Sequence, residues 1–389
     1  MYQVGILNNI RNNNYNTIPN RTASPRSQVV FGKNVVHLWL DSDGTHFPDD
    51  DQTILNPGRS GEKRFQDIKK AFNNLSSFIR KCSDTVKLNI TTGRNRGEYK
   101  HFLKLLGGAG LDYVSPERLT IKNGGDVYVN TKSLPLKDFI GKGMSSDSID
   151  TAKAEEIKKV ANWDADYVRS SILKSMEDYD FPILMSPNGN SDYGDKSANN
   201  ILRDRGSWTA FLRQDGDLNF FIGLPLSESG KNNAPALAEK IKTKLDKKEI
   251  SYDLTLRDKD GENSDGPAIV ITPKINGHKL GKDYDVARAL KAAIKEGDLV
   301  IAAGNGSNDE VMLNPDSYKD ISENENDLPL MSVVIPDKQC LRDLVQKHPD
   351  KVIAVEDAYH LQDGIKLAIK KYAESHPDFE LKPEMKNSL

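Results

Sequence analysis

The chain is poor in cysteine, with only Cys82 and Cys340, and these lie too far apart to form a metal-binding pair. That excludes a disulfide framework and a thiolate zinc site, and it reads as two reduced structural thiols in a cytoplasmic protein. The seven histidines fall in no zinc-type spacing. No stretch approaches the ~20 apolar residues that span a bilayer, so no membrane partner is expected. An excess of one charge is missing too: 54 basic and 57 acidic side chains leave a net charge of -3. Such a balance lacks the basic footprint that grips a nucleic-acid backbone, so no nucleic-acid partner is expected either. There is no P-loop, and Gly304-Asn305-Gly306 lacks the third glycine and helix start of a dinucleotide fingerprint. Internal repeats are absent.

What remains is a 389-residue chain, 37% hydrophobic and 29% charged, which suits a globular protein with more than one core. Residues 1–34 are rich in Asn, Arg and Ser, without the apolar centre of a secretory signal, and are expected to form a disordered leader. Val35-Val36-His37-Leu38-Trp39-Leu40 is a short apolar run stopping at Asp41, as in a buried parallel strand. Phe65, Ile68, Phe72, Leu75, Phe78 and Ile79 recur at mostly helical steps, and Val86 to Ile90 reads as a second strand ending in Thr91-Thr92-Gly93-Arg94. A second helix is expected from Glu98 to Leu106. This order predicts an α/β fold with a parallel, Rossmann-like sheet.

The pattern changes after Val129. A polar stretch, a helix near Tyr167 to Met176, and two strands around Gln214-Asp215-Gly216-Asp217 suggest an α+β unit built on an antiparallel sheet. The parallel pattern resumes with a helix over Val286 to Lys295 and a strand, Leu299 to Ala303, ending in Gly304-Asn305-Gly306-Ser307-Asn308-Asp309. The expected organisation is a discontinuous first domain over 35–135 and 272–376, an inserted domain over 136–271, and a loose tail over 377–389.

Ligands of open parallel sheets gather at the carboxyl ends of the strands. Three expected strands end in polar chemistry there: Asp41-Ser42-Asp43, Thr92-Gly93-Arg94, and Asn305 to Asp309. The set suits phosphoryl transfer. Asp41 can act as a nucleophile, and Asp43, two residues on, as the acid and base serving the leaving alcohol and the water. Magnesium prefers oxygen donors, and Asp41 and Asp309 are its natural pair. A cation should neutralise the phosphoryl oxygens; Lys282 is the candidate, with Lys279 the competitor. Trp208, Arg213 and Arg203 are candidates for gripping the rest of a substrate.

These motifs, in this order, resemble the haloacid dehalogenase-like phosphatases, in the branch with an α/β cap inserted between the second and third motifs. Trp39 to Thr45 is similar to the first motif and Asn89 to Arg94 to the second, in which Thr92 binds phosphate, with Thr91 as the alternative. Gly281-Lys282 is similar to the third motif, and Ala303 to Asp309, running into Val311-Met312-Leu313, to the fourth. Ile121-Lys122-Asn123-Gly124-Gly125 and Asp363-Gly364-Ile365 also look like family segments. The resemblance implies a Mg2+-dependent phosphatase for a small phosphorylated substrate such as a sugar phosphate, acting as a monomer or homodimer. It implies Asp41, Asp43, Thr92 and Lys282 as catalytic residues. Phosphate would be held by Thr92, Gly93, Arg94, Lys282 and Asn308, and metal by Asp41, Asp43, Asn305 and Asp309. Asn305 departs from the family, which has Asp there; an amide brings oxygen but no charge. The alternatives are therefore a weakened protein that binds a phosphorylated ligand or partner, or a secreted phosphoprotein phosphatase.

Overall fold

The apolar run before Asp41 forms a strand because every residue in it can be buried, as the middle of a parallel sheet requires. In a computed structural model, which describes residues 34–42, 45, 70, 72–93, 99, 110–121, 124, 126–179, 183–185, 210–215, 217–225, 228–257, 267–322, 324 and 327–389, this is β1 (Val36–Leu40), buried throughout. Residues 72–81 form helix α1. There follow β2 (Val86–Thr91), β3 (Pro116–Ile121) and β4 (Asp126–Val129), then helices α2 (Thr151–Val160) and α3 (Ala165–Met176). Next come β5 (Ile183–Met185), β6 (Ala210–Asp215), β7 (Asn219–Gly223), α4 (Glu228–Asp246), β8 (Tyr252–Arg257), β9 (Ala268–Ile275) and β10 (His278–Lys279). The last stretch is α5 (Lys282–Glu296), β11 (Leu299–Gly304), β12 (Leu330–Val334), α6 (Gln339–Lys347), β13 (Val352–Ala354) and α7 (Leu361–Ser375).

The strands build two sheets. The first has seven strands in the order β13-β12-β11-β1-β2-β3-β4, parallel except for the antiparallel β3–β4 pair. The fold is therefore α/β, as expected from the sequence. Chain order runs outward in one direction from β1 and in the other from β11, so the sheet reverses its winding between these two neighbours. That switch point is where such sheets leave a crevice. In register, Leu40 lies beside Ala303, and the Asp41 N–H donates to the Ala303 carbonyl at 2.9 Å. Apolar clusters cover both faces of this sheet: Leu38, Leu88 and Ile301 on one, Trp39, Val300 and Leu290 on the other.

The second sheet follows the path β10-β9-β7-β6-β5, with β8 also on β9, and has its own core around Phe220, Ile222, Ile271, Ile172 and Ile241. The expected β6–β7 hairpin is present and antiparallel. One pairing differs from the antiparallel expectation: β5 and β6 are parallel. Leu280, just before α5, and Tyr284, in its first turn, pack into this second core, so α5 touches both sheets.

The sequence reading misses the β3–β4 hairpin and α2. In α2 only Lys153 and Ile157 are buried, so no apolar stripe marks it; Asp150 caps it by accepting from the Lys153 N–H at 3.1 Å. Phe65, Ile68 and nearly all of the helix expected over Glu98 to Leu106 lie outside the described residues, as does the leader save Asn34. Among the described residues no helix is long and apolar enough to cross a membrane.

The tail is a correction. Residues 377–389 are not loose: Phe379 stands edge-on to Tyr372 at 5.1 Å, and Met385 is fully buried with Cys82 and Phe78. Three apolar side chains, Phe379, Leu381 and Met385, anchor an otherwise polar segment, too sparse a pattern to show periodicity. Burial there pushes the Cys82 thiol up, away from the reactive thiolate. Met385→Ala is expected to lower the unfolding free energy by about 2–4 kcal/mol, read by urea denaturation; a change within error would mean that the tail adds nothing to the core.

Candidate active site

Two strand ends meet at the switch point. Asp41 follows β1, and Asp309 lies five residues beyond the end of β11, yet both carboxylates are buried, at 4% and 0% exposure. The loop after β11 turns back on itself to achieve this. Asp309 Oδ2 accepts from the backbone N–H groups of Asn305 at 3.0 Å and Gly306 at 2.9 Å. The fold-back needs Gly304, because a Cβ there would come within 2.6 Å of the Asp309 carboxyl carbon.

The third partner arrives from the second sheet. After β10 the chain turns at Gly281, whose φ of 104° is open to glycine and strained for other residues. A Cβ on Gly124 would stand 2.6 Å from the Gly281 nitrogen, so two glycine backbones touch behind this turn. Lys282 is the first residue of α5, whereas the sequence reading starts the helix at Val286. Its ammonium donates to Asp41 Oδ1 at 2.6 Å and to Asp309 Oδ1. Burial pushes this ammonium down, but the two carboxylates more than reverse it and hold the group above the ordinary lysine range. A lone ammonium leaves the pair of carboxylates with a surplus negative charge.

The donor chemistry fits a hard cation. Asp41 and Asp309 point oxygens at one place, and Asn305, 6% exposed beside them, brings an amide oxygen that accepts from Thr45 Oγ1 at 3.4 Å. Two carboxylates and an amide suffice for Mg2+, which keeps several waters. Among the described residues no three of His, Cys, Asp and Glu gather as a metal site; Asp43, the other sequence candidate, lies outside them.

The remaining candidates divide. Thr92 is fully buried at the end of β2, its N–H donating to the Thr120 carbonyl at 2.9 Å, and Gly93 follows half-buried. Among the described residues the buried Thr91 hydroxyl finds no hydrogen-bond partner. Arg94, Arg203 and Trp208 lie outside the described residues. Asn308 is exposed, its side-chain oxygen folded against Gly306. Lys279 goes elsewhere: its ammonium pairs with Asp253 at 2.7 Å and Thr255 at 2.6 Å on the second sheet. Arg213 lies over the Phe221 ring at 5.0 Å, also on that sheet.

Sequence reasoning misses the acids that anchor the first turn of α5. Asp285, one turn along α5, accepts from Thr120 Oγ1 at 2.7 Å and pairs with the buried ammonium of Lys153 from α2. Burial pushes Lys153 below the ordinary lysine range, and Asp285 offsets only part of this. The one available signal is Asp283 and Asp285 in the first turn of a helix, where the helix dipole favours acids.

No protein-family model matches the chain, and no curated protein matches it in sequence. Solved structures to which it is similar include haloacid dehalogenase-like hydrolases and sugar phosphatases. They include the haloacid dehalogenase-like hydrolase protein yhjK from Bacillus subtilis, at 16% identity and TM-score 0.46, covering 88% of this chain and 93% of that one. The sucrose-phosphatase from Synechocystis is 11% identical at TM-score 0.45, covering 86% and 98%. The trehalose-6-phosphate phosphatase of Aspergillus fumigatus is 12% identical at TM-score 0.45, covering 87% and 93%. At this level the likenesses assign neither activity nor substrate to this chain.

Removing the Lys282 ammonium strands two buried carboxylates. Lys282→Met is expected to cost about 3–5 kcal/mol at alkaline pH without divalent cations. Urea denaturation at one alkaline pH checks this; a loss within error would show that the ammonium does not hold the two carboxylates together.

Proposed function

We propose that the chain is a magnesium-dependent phosphatase for a small phosphate monoester, a sugar phosphate or a related metabolite. The observation that carries this reading is the Lys282 ammonium between Asp41 and Asp309 at the switch point of the first sheet. Nucleophile, cation and metal carboxylate then share one buried place. We assign the phosphoryl-transfer core to 35–135 and 272–376 and a cap to 136–271. Lys279, three residues before Lys282, ties the edge of the second sheet to the site, which supports a cap that covers a small substrate. Two free thiols, one buried and one half-buried, are consistent with a reducing cytoplasm.

In the first step a carboxylate oxygen of Asp41 attacks phosphorus and the ester P–O bond breaks. The leaving alkoxide takes a proton from Asp43, giving an aspartyl-phosphate on Asp41 and a neutral alcohol. In the second, Asp43 takes a proton from water as its oxygen attacks phosphorus. The bond between phosphorus and the Asp41 oxygen breaks, restoring the carboxylate and releasing phosphate. Lys282, Thr92, Gly93 and Arg94 hold the phosphoryl oxygens, and Asn308 borders them. Asp41, Asp43, Asn305 and Asp309 would hold Mg2+, which would supply the positive charge that lets an anionic carboxylate approach an anionic phosphate.

Asn305 favours a second reading, a weakened relative that retains its ligand without fast turnover. Its side-chain oxygen is neutral and is shared with Thr45. The test is phosphate release from p-nitrophenyl phosphate and a panel of sugar phosphates, with Mg2+ and with chelator. Wild type is expected to turn over only with Mg2+, and Asp41→Asn to lose roughly three orders of magnitude or more. Absence of turnover from folded wild type sinks the phosphatase reading, and turnover regained by Asn305→Asp would then favour the weakened relative.

A further inference from the structure

His278 lies on β10, four residues before Lys282, and is 3% exposed. Its Nδ1 stands 2.9 Å from Asp283 Oδ1 and its Nε2 3.0 Å from Asp320 Oδ1. A carboxylate only accepts hydrogen bonds, and a neutral imidazole has one N–H and one bare lone pair. Both contacts are therefore satisfied only when the ring carries two protons. The second oxygen of Asp283 is also committed, accepting from the Lys279 N–H at 2.9 Å.

The ring stacks on Tyr318 with centroids 5.6 Å apart, and the fully buried Tyr318 donates its hydroxyl to the Met312 carbonyl at 3.1 Å. Met312 sits in the helical turn Glu310–Leu313 that directly follows Asp309. A continuous path thus leads from Asp309 through Met312, Tyr318 and His278 to Asp283 and Lys282. It joins the two sides of the ammonium bridge by a route that does not pass through the bridge.

We propose that His278 is a positioning residue for Lys282: an imidazolium, clamped between Asp283 and Asp320, that holds the turn before α5 in register with the segment after β11. The charged groups around it are Asp283 and Lys291 of α5 and Asp320 beyond the Pro315–Tyr318 turn, with Lys291 3.5 Å from Asp320. Lys279, next to it on β10, sends its ammonium away to Asp253. Burial pushes the imidazole down and the two carboxylates outweigh it, leaving it above its ordinary value. The direction of the pH effect follows. The clamp is complete below about pH 6.5, the unfolded value, and is lost as pH rises through the higher folded value. Once a proton leaves, one carboxylate faces a lone pair at hydrogen-bond distance and the turn loosens.

The test has two arms, and only the kinetic one rests on the phosphatase reading. In the first, NMR follows the His278 ring and the Lys282 backbone amide from about pH 5.5 to about pH 9.5 in wild type and Asp320→Asn. Asp320 is 40% exposed, so this variant keeps the fold. The Lys282 amide is expected to titrate with the ring, and both midpoints to fall by about one unit in Asp320→Asn. An amide that stays still while His278 titrates, or an unmoved midpoint, overturns the proposal. In the second arm, kcat for p-nitrophenyl phosphate should decline along an alkaline limb at the same midpoint, displaced downward in Asp320→Asn. His278→Gln should lose about tenfold in kcat with KM little changed, and should lack that limb. A limb unchanged in both variants overturns the proposal. If wild type shows no turnover, the phosphatase reading fails and the first arm still decides.

Discussion

The site depends on one buried ammonium shared by two carboxylates that the chain brings from opposite directions. Asp41 comes from the end of β1, Asp309 from the loop after β11, and Lys282 from the start of α5. Two carboxylates at this depth repel each other, and the Lys282 ammonium between them offsets that repulsion. The cost of placing three charges out of water is offset by surrounding donors, chiefly the two N–H groups that fix Asp309 Oδ2. The arrangement is thus rigid on the β11 side and delivered by a turn on the α5 side.

That turn makes the first residues of α5 a hub. Lys282 reaches the first sheet's crevice, Asp283 reaches His278, and Asp285 reaches Thr120 of β3 and Lys153 of α2. Leu280 and Tyr284 meanwhile belong to the second sheet's core. One helical turn therefore carries contacts to the first sheet, to the second, and to the segment joining them. A displacement of one sheet against the other cannot leave Lys282 unaffected.

Much of this was legible in the sequence where local pattern and chemistry coincide. Val36 to Leu40 announces a buried strand by its apolar run, and Asp41, Thr92 and the Asn305 to Asp309 segment announce strand ends by an abrupt change to polar residues. Lys282 and Lys279 could not be separated that way. They sit three residues apart, and what divides them is the left-handed backbone at Gly281, which sends one into the crevice and the other to Asp253. Lys153 was illegible for another reason. Its partner Asp285 lies 132 residues away, and a buried lysine in a polar helix carries no sequence mark until that partner is placed. The tail beyond His376 looked loose because only three apolar anchors hold it.

The pairing of β1 with β11 has a bearing on how the molecule comes to exist. These central strands are separated by 263 positions in the chain, with the whole second sheet between them. During synthesis β1 must wait, one edge bare, until the segment that separates it from β11 has been made. The second sheet contains only segments from within that interval, so it can close on itself first. Assembly of the crevice is thereby placed late, and the nucleophilic carboxylate acquires its neighbours only when the interrupted sheet is rejoined.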